Sequence, residues 1–486
     1  MEYSDDVDEL KAYRICRDCV GERYLSAKIE KADERGTCTY CEAEDASTIS
    51  LEELAEEIAG AFERHYEQTS TEPEGIEYAM SKEFGWSRHG DPVADVIAEA
   101  AEIDGDLAEH VRLILEHENE DFERAQMGEE GPFDDDTHYQ EAGVDDHEFA
   151  AQWEEFEQSL KTRTRFFNNN ARAILDMLFQ GIAEAKRREG APIIRTCGAG
   201  SDVTHLYRAR VFQSDGMLKQ AITSPDTGMG APPTHAAAAG RMNAKGISVF
   251  YGATDPDIAI AEVRPPVGSR VVIARFEFLR SVRLLDVAAL QDLLVTGSIF
   301  DPTHARELER GKFLSKLSAR ITMPVMPEDE TMQHIVTQAM ADYLAERKDL
   351  DLDGILYDSV QSEAKGHNVA LFHRAARCEP LELPIGSKVR SHTYMHTEDG
   401  FEPDYWVWEE VPVDVEEPKK ETDEFPHFGA YAHIWDQTPQ DEREITLRVD
   451  ANSLEVHEIN AVKFSTSANK VRRRRTLLRP YESDDF

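Results

Sequence analysis

In the second half of the chain an arginine, a tyrosine and a carboxylate fall on consecutive elements that could converge on one cleft. Gly240-Arg241-Met242-Asn243-Ala244-Lys245-Gly246 precedes a strand-like Val249-Phe250-Tyr251, and a short helix carrying Glu262 follows. Glycines let the backbone approach a ligand closely, and the Arg241 guanidinium can fork onto phosphate or carboxylate oxygens. Upstream, Leu206 to Phe212 reads as a strand with Arg208 and Arg210 on one face, and two neighbouring guanidiniums call for an anion. The helix of Glu262 is bounded by Thr254-Asp255-Pro256, a cap with proline at the first helical position, and by Pro265-Pro266. Glu262 therefore falls in the last turn, where the helix dipole disfavours a carboxylate by about 0.3–1 kcal/mol. A residue held against local preference points to a task, and a surface ion pair with Arg264 is the alternative.

A second cluster lies near the N-terminus. Cys16 and Cys19 form one Cys-x2-Cys pair, and Cys38 and Cys41 form another. Two such knuckles offer four thiolates at tetrahedral corners, the closed geometry of structural Zn2+, with Tyr13, Gly36 and Thr37 suiting the tight turns of a zinc ribbon. A four-cysteine site has no open ligand position, so its role is to staple the fold. Cys197 and Cys378 stand alone and read as small buried hydrophobes.

The elements that must position these groups follow from periodicity. Ser50 with Glu52 and Glu53 opens a helix whose stripe is Leu51, Leu54, Ile58 and Phe62; Asp91-Pro92 opens another, and Asp106 to His117 a third. Residues 118–146 are acidic, carry Gly128, Gly131 and Pro132, and read as a connector. A long helix from Glu148 to Arg188, interrupted near Asn168-Asn169-Asn170, comes next. Arg112 and His117 match the Arg-x4-His spacing of the HEPN ribonucleases, but on one helix they lie about 140° apart. After Gly200 short strands and helices alternate, and Thr331 to Arg347 is an amphipathic helix expected behind the sheet. Beyond 385, strand-type runs such as Tyr405-Trp406-Val407-Trp408 mix with acidic, proline-containing sequence.

The 486 residues carry 96 Asp plus Glu against 53 Lys plus Arg, a formal charge of −43 spread along the whole length. Such a surface repels phosphate backbones, which disfavours nucleic-acid partners; Arg472 to Arg475 is the one basic patch and reads as a solvated tail. The acid excess is what adaptation to a saline cytosol would produce. No run of about 18 apolar residues exists, and the start, with Glu2, Asp5, Asp6 and Asp8, is no signal segment, so a soluble cytoplasmic protein without membrane attachment is expected.

Taken in order, Tyr207-Arg208, Gly240 to Asn243 with Gly246, Tyr251-Gly252-Ala253, Ala259 to Glu262, Asp353-Gly354-Ile355 with Ser359, and Asn368 to Phe372 resemble the RES family, named for its Arg, Glu and Ser. Met242 departs from the commoner aromatic at that position, which touches packing more than chemistry. The cysteine-bearing N-terminal region is similar to the domain found ahead of RES and HEPN domains. The resemblance implies an ADP-ribosyltransferase-like fold and cleavage of the nicotinamide–ribose bond of NAD+, with water or inorganic phosphate as acceptor. Many relatives are toxins paired with an antitoxin, so a partner protein is also implied.

On that resemblance Glu262 stabilises the oxocarbenium-like ribose, and Arg208 and Arg241 hold pyrophosphate or an acceptor phosphate. Tyr251 stacks on the nicotinamide ring or is a core tyrosine, Ser359 hydrogen-bonds ribose or carboxamide, and Asn368 is a further binding candidate. The expected organisation is multidomain α+β: a zinc ribbon over 1–50, a helical region over 51–195, a RES domain over 200–385, and a strand-rich extension with a basic tail over 386–486. Two readings compete with the enzyme: a non-catalytic nucleotide-binding interaction protein and a HEPN-type ribonuclease.

Overall fold

The computed structural model describes residues 2–73, 75, 77–80, 85–121, 124, 127–323, 329–359, 366–398, 400–412, 441–463 and 466–475. Its N-terminal part is built on α1 (Glu2–Lys11), β1 (Arg14–Cys16), α2 (Arg23–Glu30), β2 (Arg35–Gly36), β3 (Ala46–Ser50) and α3 (Leu51–His65). The Ser50 side chain accepts from the Glu53 amide and Glu53 reaches back to the Ser50 amide, a capping box that fixes where β3 ends and α3 begins. There follow β4 (Tyr66–Gln68), β5 (Asp91–Pro92), α4 (Val93–Ala101), α5 (Gly105–Glu118) and β6 (His138–Glu141). Leu51, Leu54, Ile58 and Phe62 pack with Val93, Ile97, Leu107, Val111 and Ile114 in one core.

The expected acidic connector is only partly one. Within 118–146, β6 pairs antiparallel with both β4 and β5, and Phe133 and Tyr139 are buried against Phe62. A short strand anchored by two aromatic rings is enough to order a stretch whose charge alone reads as loop.

The second part comprises α6 (His147–Thr162), α7 (Asn169–Leu178), β7 (Ile194–Cys197), β8 (His205–Phe212), α8 (Asp215–Thr223), α9 (Pro225–Gly228), β9 (Phe250–Ala253) and α10 (Pro256–Glu262). It continues with β10 (Arg270–Phe278), β11 (Val282–Asp286), α11 (His304–Thr322), α12 (Glu330–Glu346), β12 (Gly354–Asp358), β13 (His367–Leu371), β14 (Lys388–Thr397), β15 (Gly400–Glu410) and β16 (Leu447–Glu458). Eight strands form one sheet in the order β16-β10-β8-β9-β13-β12-β11-β7, antiparallel except for β11 beside β12. That parallel pair needs a crossover, and α11 and α12 supply it. β14 and β15 make a separate two-stranded ribbon.

The sheet reaches beyond the expected limits of 200–385 at both ends. β7 forms one edge, and β16, from the expected extension, pairs along β10 to form the other. Likewise α6 and α7, grouped by sequence with the N-terminal helices, bury Phe149, Trp153, Phe156, Ile174 and Leu178 in the core beneath this sheet, with Leu285, Ile355 and Phe313. The opposite face carries Leu206, Phe212, Phe250, Phe276 and Leu356 against Leu218 and Ile222 of α8. Apolar burial on both faces makes the sheet the rigid middle layer that holds the site. No helix among the described residues is long and apolar enough to cross a membrane.

Candidate functional site

β8 and β9 are neighbours in the sheet, yet they share a single register pair, Tyr207 with Ala253. Past that pair the strands separate, and the slot between them is a cleft of about 460 Å³. Its walls include Arg208 and Arg210 of β8, Gly240 and Arg241, Tyr251 of β9, Glu262 of α10, His334 of α12, Tyr357 of β12 and Asn368 of β13. Five of the six sequence-predicted site residues outside the cysteine cluster therefore share one concavity. The sixth, Ser359, is half-buried just after β12, and the described lining of the cleft does not include it. His334 and Tyr357 were missed. Tyr357 lies inside the continuous apolar run Gly354 to Tyr357, which has no alternation to say which side chain faces a ligand.

The arginines are held by backbone rather than by acids. Arg208 Nη1 donates to the Tyr251 carbonyl at 2.9 Å, bridging the strands where the ladder has stopped, and the guanidinium lies 4.8 Å from the centre of the Phe250 ring. Its Nε is buried and, among the described residues, has no hydrogen-bond partner. Arg210 donates to the Gly228 carbonyl. Arg241 donates to the Ile321 and Met323 carbonyls at the end of α11, where a helix leaves carbonyls unpaired. Among the described residues none of the three pairs with a carboxylate, in a chain with nearly twice as many acids as bases. Burial first, and then the charge of Arg210, pushes Arg208 down to about 9; it remains a cation at neutral pH. Burial also lowers Arg210.

Glu262 ends α10, whose start is set by Asp255 accepting from the amides of Asp257 and Ile258, with Pro256 at the first position. The side chain is exposed at the cleft rim, but it is not free to wander. Its Oε2 accepts from Asn368 Nδ2 at 3.0 Å, and Asn368 is only 3% exposed. A buried amide thus aims a solvent-reached carboxylate.

The Tyr251 hydroxyl donates to Asn243 Oδ1 at 2.8 Å and accepts from the Met242 amide at 2.9 Å, so it braces the Gly240 to Gly246 turn. Burial raises it to about 12. A Cβ at position 240 would stand 2.6 Å from Asn243 Oδ1 and 2.7 Å from the Tyr251 hydroxyl, which explains glycine there. Met242 is buried in the core beneath the sheet, as expected of a packing substitution. A second cavity of about 380 Å³ between α6, α11 and α12 shares Arg241 and His334 with the cleft.

The four N-terminal cysteines do converge. Their sulfurs all lie within 4.8 Å of one another, with Cys16 to Cys41 at 3.5 Å, Cys19 to Cys38 at 3.8 Å and Cys16 to Cys19 at 3.9 Å. Tetrahedral zinc with bonds of about 2.3 Å sets its sulfurs about 3.8 Å apart, so this cluster fits that ion. Burial pushes the Cys38 thiol up, but the amides of Cys41, Tyr40 and Cys16 outweigh it and bring Cys38 down to about 7. Burial holds Cys16 and Cys19 above the ordinary thiol range, so these two would give up their protons on metal binding.

Arg112 is engaged structurally. It is 4% exposed, grips Glu109 and Glu116, and donates to the Phe133 carbonyl at 2.8 Å. Most of its donors are used within α5 and on the Phe133 segment, a structural role that accounts for the arginine without the ribonuclease reading.

Residues 205–392 match the family model of the RES domain, and residues 31–173 match HEPN/RES N-terminal domain 1. No curated protein and no solved structure matches the chain. The chain thus carries, in order, a region matching HEPN/RES N-terminal domain 1 and a region matching the RES domain, as its cysteine pairs and its Arg, Glu and Ser motifs led one to expect.

Proposed function

We propose that the cleft binds NAD+ and cleaves its nicotinamide–ribose bond. The observation that carries this reading is three guanidiniums that, among the described residues, have no carboxylate partner, beside one oriented carboxylate. A pyrophosphate bears two negative charges and fits cations whose hydrogen bonds, among the described residues, go to neutral carbonyls. Departure of nicotinamide takes the bonding pair of the glycosidic C–N bond, leaving positive charge on the ribose carbon and ring oxygen. Glu262, held by Asn368, is the group that stabilises this charge and orients the ribose hydroxyls. Water then adds its oxygen to the ribose carbon and releases a proton, or inorganic phosphate adds in its place. Tyr251 braces the Arg241 turn and offers its ring to the cleft, and Ser359 contacts ligand from beyond β12. The fold that supports such chemistry is the ADP-ribosyltransferase-like one. Zn2+ held by Cys16, Cys19, Cys38 and Cys41 staples the N-terminal part and takes no role in the chemistry. The biological reading is an effector that depletes NAD+ and is restrained by an antitoxin-type partner.

The test is nicotinamide release from NAD+ by the purified protein, with and without inorganic phosphate. Glu262→Ala is expected to lower the rate by at least about 100-fold, the range seen when one electrostatic stabiliser is removed. Because the variant takes the carboxylate away from the buried Asn368 amide, a stability loss of about 1–3 kcal/mol is expected as well, so rates are compared at a temperature where both proteins are fully folded. Undiminished release in this variant would remove Glu262 from the chemistry. Binding of NAD+ without any release would leave a nucleotide-binding module.

A further inference from the structure

The floor of the cleft contains a polar group that the reading above does not use. Tyr357 of β12 lies directly opposite Asn368 of β13, and both side chains line the cleft. Both are nearly closed off, at 4% and 3% exposure. Asn368 is satisfied by Glu262, and Tyr251 close by is satisfied twice, yet among the described residues nothing hydrogen-bonds the Tyr357 hydroxyl. The hydroxyl is not among the fully enclosed unpaired polar atoms, so within a nearly closed-off residue of the cleft lining it is the part that solvent, and hence a ligand, can reach.

We propose that the Tyr357 hydroxyl is a substrate-gripping group that hydrogen-bonds a ribose hydroxyl of the dinucleotide beside Glu262. The proposal rests on the dinucleotide reading and adds a specificity residue to it. The position selects the ribose over the phosphates: Tyr357 sits on the strand paired with that of Asn368, whose amide holds Glu262, whereas Arg208 and Arg210 rise from β8, separated from β12 by β9 and β13. The phenol stays protonated, since burial, and after it the charge of Glu262, hold it well above its ordinary range. A neutral phenol both donates to and accepts from a sugar hydroxyl, which suits it to this partner better than to an anion.

Tyr357→Phe removes the hydroxyl and nothing else. Calorimetric titration with ADP-ribose should show about tenfold weaker binding by the variant, the worth of one net hydrogen bond. With the 2″-deoxy and 3″-deoxy forms of ADP-ribose, one of the two should bind wild type and variant alike, because the partner hydroxyl is already gone. The unliganded variant should melt close to the wild-type temperature, since the deleted hydroxyl has no hydrogen-bond partner among the described residues. Equal ADP-ribose affinity in wild type and variant overturns the proposal, as does a tenfold loss retained on both deoxy analogues. A lower melting temperature also overturns it, by revealing a structural partner for the hydroxyl. A wild-type protein that binds neither NAD+ nor ADP-ribose overturns the dinucleotide reading itself, a result distinct from the others.

Discussion

At the scale of single residues, the cleft is defined by what its cations lack. Arg208 has one carbonyl, one aromatic face and a bare buried Nε, so its full charge awaits a partner. Pyrophosphate should therefore raise the melting temperature of the protein, and the gain should vanish in Arg208→Ala. At a hundredfold excess over Kd the stabilisation of wild type amounts to about 2.7 kcal/mol. Equal protection of wild type and variant, measured by thermal scans at fixed ionic strength, would move the anion elsewhere. The same residue shows what a sequence can carry. Alternation in Leu206 to Phe212 put Arg208 and Arg210 on one face and announced an anion, and the Asp255-Pro256 start with the Pro265-Pro266 stop located Glu262 at a helix end. Nothing in those strings announced Tyr357, whose partnerless hydroxyl is a property of three strands brought together.

At the scale of elements, α11 has a different neighbour at each end. Phe300, just ahead of it, is buried in the N-terminal core, and His304 at its start lies 6.0 Å, ring to ring, from His65 at the end of α3. At the far end its carbonyls take Arg241 from the cleft. Burial first, then the charges of His304 and Arg64, lowers His65 below its ordinary value, with Glu141 opposing. The native state thus prefers neutral His65 while the unfolded chain protonates near pH 6.5. Below that pH the unfolded state binds more protons, so stability falls as pH drops from about 6.5 toward the depressed native value and then levels off. Melting scans over about pH 7.5 to 5 should show this loss, and His65→Leu should flatten it relative to wild type; parallel curves would assign the slope to other groups. Elements of this kind were partly legible. Capping chemistry fixed α3 and α10, whereas the slot between β8 and β9 depends on where pairing stops, and the joining of β16 to β10 unites strands far apart in sequence. Long-range register leaves no local mark.

At the scale of the whole molecule, the charge of −43 and the cationic cleft set opposite responses to salt. The acids repel one another throughout the surface, and the repulsion weakens as the screening length shrinks from about 10 Å at 0.1 M to about 3 Å at 1 M. Stability should therefore rise with salt over that range. Attraction of a pyrophosphate to Arg208, Arg210 and Arg241 is screened by the same ions, so its affinity should fall, less steeply where the guanidiniums are buried. The two trends are separable in one set of experiments: thermal scans without ligand and titrations with pyrophosphate, both across NaCl and KCl at matched ionic strength. Equal behaviour of the two salts identifies screening, because specific cation binding would distinguish sodium from potassium. A melting temperature indifferent to salt would mean that the acids are already compensated within the fold, and the saline-cytosol reading of the composition would fall with it.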